Sequence, residues 1–77
     1  MRNKGEGMEK VSISTEFIKL DQFLKWTGLV DYGSDAKKII QDGNVIVNGS
    51  VETQRGKKLR AGDKIEFDGK VFQIENE

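Results

Sequence analysis

Arg55, Lys57, Lys58 and Arg60 fall within one short run, with Gly56 among them. Lysine and arginine neutralise phosphates and release their counterions, and arginine can clamp a phosphate through two parallel N–H donors. A glycine beside them lets the backbone come close to such a group. The chemistry on offer is the gripping of a polyanion. The competing reading is a solvated loop whose lysines discourage strand addition at a sheet edge. Spacing alone leaves the two readings level.

Little other chemistry is available. The chain has no histidine and no cysteine, which removes an imidazole base, a thiolate nucleophile, a His/Cys metal site and any disulfide. Carboxylate sites for Mg²⁺ or Ca²⁺ stay open in principle, but no EF-hand-like spacing occurs. Asp21 and Asp63 invite a catalytic reading, yet neither has a second carboxylate at a defensible spacing. Asp21 reads as a helix N-terminal residue and Asp63 as a turn residue. The serines have no histidine partner, and there is no Walker loop, GxGxxG or nucleophile elbow. The expectation is a protein without catalysis, cofactor, metal or small-molecule substrate.

The 13 Lys+Arg balance 13 Asp+Glu, and the pI is near 6.3. Neutrality argues against indiscriminate binding to polyanions but says nothing of local patches. Residues 53–64 set Arg55, Lys57, Lys58, Arg60 and Lys64 against Asp63 alone, whereas residues 65–77 set Lys70 against Glu66, Asp68, Glu75 and Glu77. The charge is segregated along the chain.

The elements that must position the basic run follow from periodicity and turn chemistry. Residues 1–9 read as a disordered tail and 10–77 as one domain. Val11 and Ile13 alternate with polar neighbours, predicting a short strand. Leu20, Phe23, Leu24 and Thr27 make one helical stripe that Gly28 ends. A second helix is predicted over 34–43, with Ser34 as N-cap and Ala36, Ile39 and Ile40 as its buried stripe. Asn48-Gly49 and Asp68-Gly69, each between β-branched or aromatic residues, signal two hairpins with type I′ turns. The basic run lies between the hairpins, as a loop with room for a short extended piece. The predicted core is Leu20, Phe23, Leu24, Leu29, Ala36, Ile39, Ile40, Val45, Val47, Val51, Leu59, Ile65, Phe67 and Phe72. The predicted class is α+β: two short antiparallel helices on a small, mostly antiparallel sheet, with an extra N-terminal strand. With no apolar run resembling a leader or a span, a soluble, cytoplasmic monomer is expected.

These residues, in this order, resemble the S4 RNA-binding domain. The similarity runs from "IKLDQFLKWTGLV" through "AKKIIQDGNVIVNG" to "KLRAGDKIEF", roughly residues 18–67. The short leading strand and the "RGKKL" loop look most like the small stand-alone bacterial S4 proteins of the YaaA type. The resemblance implies an alpha-L fold and RNA binding, with association with ribosomal RNA, the ribosome or its assembly. It also implies that the second helix and the basic loop border one RNA surface. There are two departures. Lys19 stands where the family often has arginine, leaving a point charge in place of a bidentate fork. Tyr32-Gly33 stands where it often has Ser-Arg, so that contact has no counterpart, although Gly33 lets backbone approach a phosphate.

The implied RNA-binding residues are Lys19, Lys37, Lys38, Arg55, Lys57, Lys58 and Arg60. Lys37 and Lys38 lie opposite the second helix's apolar stripe, and Lys25 lies opposite that of the first. For Lys25 a solvated face is the preferred reading. Trp26 shares a flank with Lys19 and Gln22 and is a candidate for base stacking, but a cover for the core rim is preferred, since large aromatics in small domains are usually buried. Two further readings compete with RNA binding: a protein-interaction adaptor presenting the acidic C-terminal strand as a sheet edge, and DNA binding.

Overall fold

The computed structural model describes residues 8–77. The chain runs β1 (Met8–Ile13), β2 (Ile18–Lys19), α1 (Leu20–Trp26), α2 (Gly33–Gln41), β3 (Val45–Val47), β4 (Ser50–Val51), β5 (Lys58–Leu59), β6 (Lys64–Phe67) and β7 (Lys70–Asn76). Five strands form one sheet in the order β1-β7-β6-β3-β4, and β2 pairs with β5 in a second, two-stranded sheet. Every pairing is antiparallel except β1 with β7. The architecture is the expected α+β one, with the small second sheet added.

Alternation along the strands builds the core. Val45 and Val47 of β3, Ile65 of β6, and Phe72 and Ile74 of β7 point inward and are buried, as a period of two requires. Leu20, Phe23 and Leu24 of α1 and Ala36 and Ile40 of α2 have no exposed surface at all. Helices of 7 and 9 residues are too short to hold by themselves in water, so this packing is what makes them helical. Phe23 meets Phe72 edge to face, with centroids 5.6 Å apart, joining the helices to the sheet. Both hairpin turns are type I′: Asn48 and Gly49 take φ of 52° and 86°, Asp68 and Gly69 take 55° and 77°.

Several expectations are corrected. β1 begins at Met8, so Met8 and Glu9 are strand rather than tail; the rest of the tail expectation, residues 1–7, lies outside the described residues. Ser34 is not an N-cap. α2 starts at Gly33, with Tyr32 as the cap residue and no capping side chain; the Tyr32 carbonyl accepts from the N–H groups of Asp35 and Ala36, both at 3.1 Å. Val51 is 59% exposed, because β4 is a two-residue edge strand. Leu29, Ile39 and Phe67 only rim the core, whereas Ile13, Val30 and Ile74 join it. β7 is not an edge: β1 covers it over six residue pairs from Met8–Val71 to Ile13–Asn76. The acidic C-terminal strand therefore cannot accept an added strand from a partner.

Candidate nucleic-acid interface

The basic run is fixed to the rest of the domain by its backbone. A helix begins with four N–H groups that lack partners inside it. In α1 the first two find carbonyls of the basic loop: Leu20 N–H donates to the Lys57 oxygen at 2.9 Å, and Asp21 N–H to the Arg55 oxygen at 3.1 Å. Lys19, the residue at the N-cap position, has no side-chain oxygen to offer. Gln22 turns its amide oxygen back to the Lys19 N–H at 3.4 Å. The Asp21 carboxylate accepts from the Gln22 N–H at 2.8 Å, a role at the helix terminus.

Next along the loop, β5 pairs with β2 in the register Ile18–Leu59 and Lys19–Lys58. Alternation sends Leu59 into the core, fully buried, and half-buries Ile18 beside it. The opposite face carries Lys19 and Lys58 directly across from each other. One step further along this register, Phe17 comes opposite Arg60. The geometry agrees: Lys58 Nζ lies 4.9 Å and Arg60 Cζ 5.8 Å from the centre of the Phe17 ring. Three cations thus share one face, two of them seated on an aromatic ring.

Asp63 holds the far end of this loop. One of its oxygens accepts from the Arg60 N–H at 2.8 Å and the other from Asn48 Nδ2 at 3.1 Å. Asn48 in turn accepts from the Lys64 N–H at 2.9 Å. The β3–β4 turn and the end of the basic loop are therefore one hydrogen-bonded unit.

None of these cations meets a carboxylate among the described residues, where the sole ion pair joins Lys10 of β1 to Glu75 of β7 at 3.5 Å. Arg55, Lys57, Lys58 and Arg60 are all exposed. At the loop tip, a Cβ on Gly56 would meet nothing within 4 Å, so the fold itself does not require glycine there.

The structure brings Lys19 together with Lys58 and Arg60. Lys37 and Lys38 lie exposed on α2, while the loop's backbone hydrogen bonds run to α1 and the β2 pair, not to α2. Trp26 does not cover the core rim as preferred from sequence: it is 69% exposed. Lys25 is exposed too, and its ammonium lies 3.9 Å from where a Cβ on Gly33 would stand, against the first residue of α2. Phe17 is the residue that sequence reasoning missed. Its signal was there, an aromatic two positions before Lys19, the period that puts two side chains on one face of a strand.

Among the described residues no cluster of three or more Asp, Glu, His or Cys is placed to hold a metal, and no helix is long and apolar enough to cross a membrane.

A two-helix layer on a mostly antiparallel sheet, with a cationic face at the start of the first helix, defines an alpha-L domain. The S4 domain family model matches residues 11–75, and the chain belongs to that family. Over 67 residues it is 40% identical to the probable ribosome maturation protein RlbA of Bacillus subtilis (strain 168), covering 86% of this chain and 94% of that protein. It is 37% identical over 57 residues to YbcJ of Escherichia coli (strain K12), covering 74% of this chain and 81% of that protein. The solution structure of E. coli YbcJ, described as having an αL motif involved in RNA binding, superposes with a TM-score of 0.64 at 29% identity, over 97% of this chain and 94% of the other.

Proposed function

We propose that this chain is a non-enzymatic RNA-binding module that grips structured ribosomal RNA during ribosome assembly or maturation, acting as a monomer in the cytoplasm. Membership of the S4 family, the name of the B. subtilis relative and the RNA-binding motif of YbcJ support the reading. The observation that carries it is the pairing of Lys19 with Lys58 across a two-residue sheet. Like charges directly opposite each other destabilise an antiparallel pair. Here no carboxylate among the described residues relieves the repulsion, and an RNA phosphate between the two ammonium groups would.

Arg55, Lys57, Lys58 and Arg60 supply most of the attraction, and Lys19 completes their face. Lys37 and Lys38 extend the footprint along α2. Duplex RNA hides its base edges in a deep, narrow groove, so this grip reads backbone shape rather than sequence. With about five phosphates neutralised, log K falls against log salt with a slope of roughly −3.5 to −4.5.

The test is salt-dependent binding of the purified protein to a structured ribosomal RNA fragment, with duplex DNA as competitor, alongside Lys57→Glu/Lys58→Glu. The expected result is RNA-preferring binding with a steep slope that the charge-reversed protein loses while staying folded. Equal, weak binding by both proteins would remove the loop from the site. Binding abolished equally by RNA and DNA competitors would make the module a general polyanion binder.

A further inference from the structure

We infer that the groove between Phe17 and Trp26 receives one unpaired nucleobase of the RNA whose phosphates the cationic face holds, so that the domain recognises a helix interrupted by an unstacked nucleotide. This rests on the RNA-binding reading above and adds a second, base-contacting subsite to it.

The groove has a volume of about 530 Å³ and is lined by Thr15, Phe17, Ile18, Gln22, Lys25 and Trp26. That size is ordinary for a small-molecule site. Its lining combines two aromatic rings and an aliphatic side chain with an amide, a hydroxyl and an ammonium, and includes no carboxylate. Trp26 is the one tryptophan of the chain and stands 69% exposed. Burying such a ring is among the largest apolar gains open to so small a domain, and the fold leaves it unused.

Charge decides what the groove takes. Phe17 belongs to both regions: its ring lines the groove and also carries Lys58 and Arg60. Lys25 stands within the lining itself. A ligand on these rings therefore meets cations and no carboxylate in the lining, which suits an aromatic base attached to a phosphate and does not suit a plain apolar peptide. Aromatic side chains stack on any base, because every base has a π-face. Inside a continuous duplex both faces of a base are covered by its neighbours, so only a bulge, loop or end offers one. The phosphates flanking that base then lie within reach of the cationic face next to it.

The test uses the full chain and two RNA hairpins that differ by one bulged adenosine in the stem. As Trp26 is the sole tryptophan, its fluorescence reports the surroundings of this one ring and needs no variant. Saturation with the bulged hairpin is expected to quench Trp26 emission strongly, and saturation with the fully paired hairpin weakly. Trp26→Leu is expected to weaken binding of the bulged hairpin by about tenfold and to erase the preference between the two. If the native protein binds both hairpins alike, with a steep salt slope and no difference in quenching, the base subsite is overturned while the phosphate grip stands. If it binds neither hairpin at low salt, both readings fall together.

Discussion

The five-stranded sheet and the two-stranded β2/β5 pair share one small domain but are held by different means. In the large sheet, β7 pairs with β1 over Val71–Asn76 and with β6 over Lys70–Gln73, and its Phe72 and Ile74 are buried in the common core. In the small sheet only Ile18–Leu59 and Lys19–Lys58 are paired; one pair supplies apolar contact and the other sets two lysines opposite each other. The small sheet keeps its shape because Leu59 is anchored in the common core and because α1 draws on the Arg55 and Lys57 carbonyls. The large sheet optimises its own contacts. The small one places like charges opposite each other with no carboxylate partner among the described residues, the arrangement on which the proposed RNA grip rests.

The contrast can be broken most severely from the core. Phe23→Ala removes a fully buried ring that packs on Phe72. Such truncations cost about 3–5 kcal/mol, most of what a domain of this size has to lose. Circular dichroism should show loss of the cooperative melt, taking both sheets with it. Next comes the charge reversal Lys57→Glu/Lys58→Glu. RNA affinity should drop by roughly a hundredfold at physiological salt and the salt slope should flatten by about two, with the melting temperature nearly unchanged. A steep slope retained in this variant would place the phosphate contacts elsewhere. Asp63→Ala acts on the link between the sheets, since one carboxylate holds both the Arg60 N–H and the Asn48 amide; urea unfolding should report a loss of about 1–2 kcal/mol. The smallest effect belongs to Lys10→Ala. Its pair with Glu75 is solvent-exposed, so the same measurement should change by less than about 0.5 kcal/mol.

The large sheet was readable in the sequence where local chemistry left no choice. Asn48-Gly49 and Asp68-Gly69 need positive φ at both positions, and both have it. The α1 stripe was readable for a similar reason, since three apolar residues on one helical face have only one direction to turn. The small sheet was not: two paired residues give too little alternation to register as a strand, and their partners lie far apart in the chain. Burial also misled. Val51 follows a hairpin turn and has a β-branched side chain, yet an edge strand of two residues has nothing to cover it. Trp26 was assigned to the core rim from its size, although periodicity reports only which flank a residue occupies and not what lies against it. At Ser34 a good capping residue was present, but the Tyr32 backbone made the turn two residues earlier. For the site, the basic cluster stood out by composition, whereas the ring on which two of its cations rest, Phe17, came from a distant stretch.

The closure of α1 by the Arg55 and Lys57 carbonyls has an evolutionary consequence. Every amino acid brings the same carbonyl to those two positions, whatever its side chain. Substitutions there leave the helix start intact, so the outward charges can be exchanged, added or removed by single mutations without passing through an unfolded protein. The charge pattern of this surface is thereby free to drift without disturbing the fold beneath it.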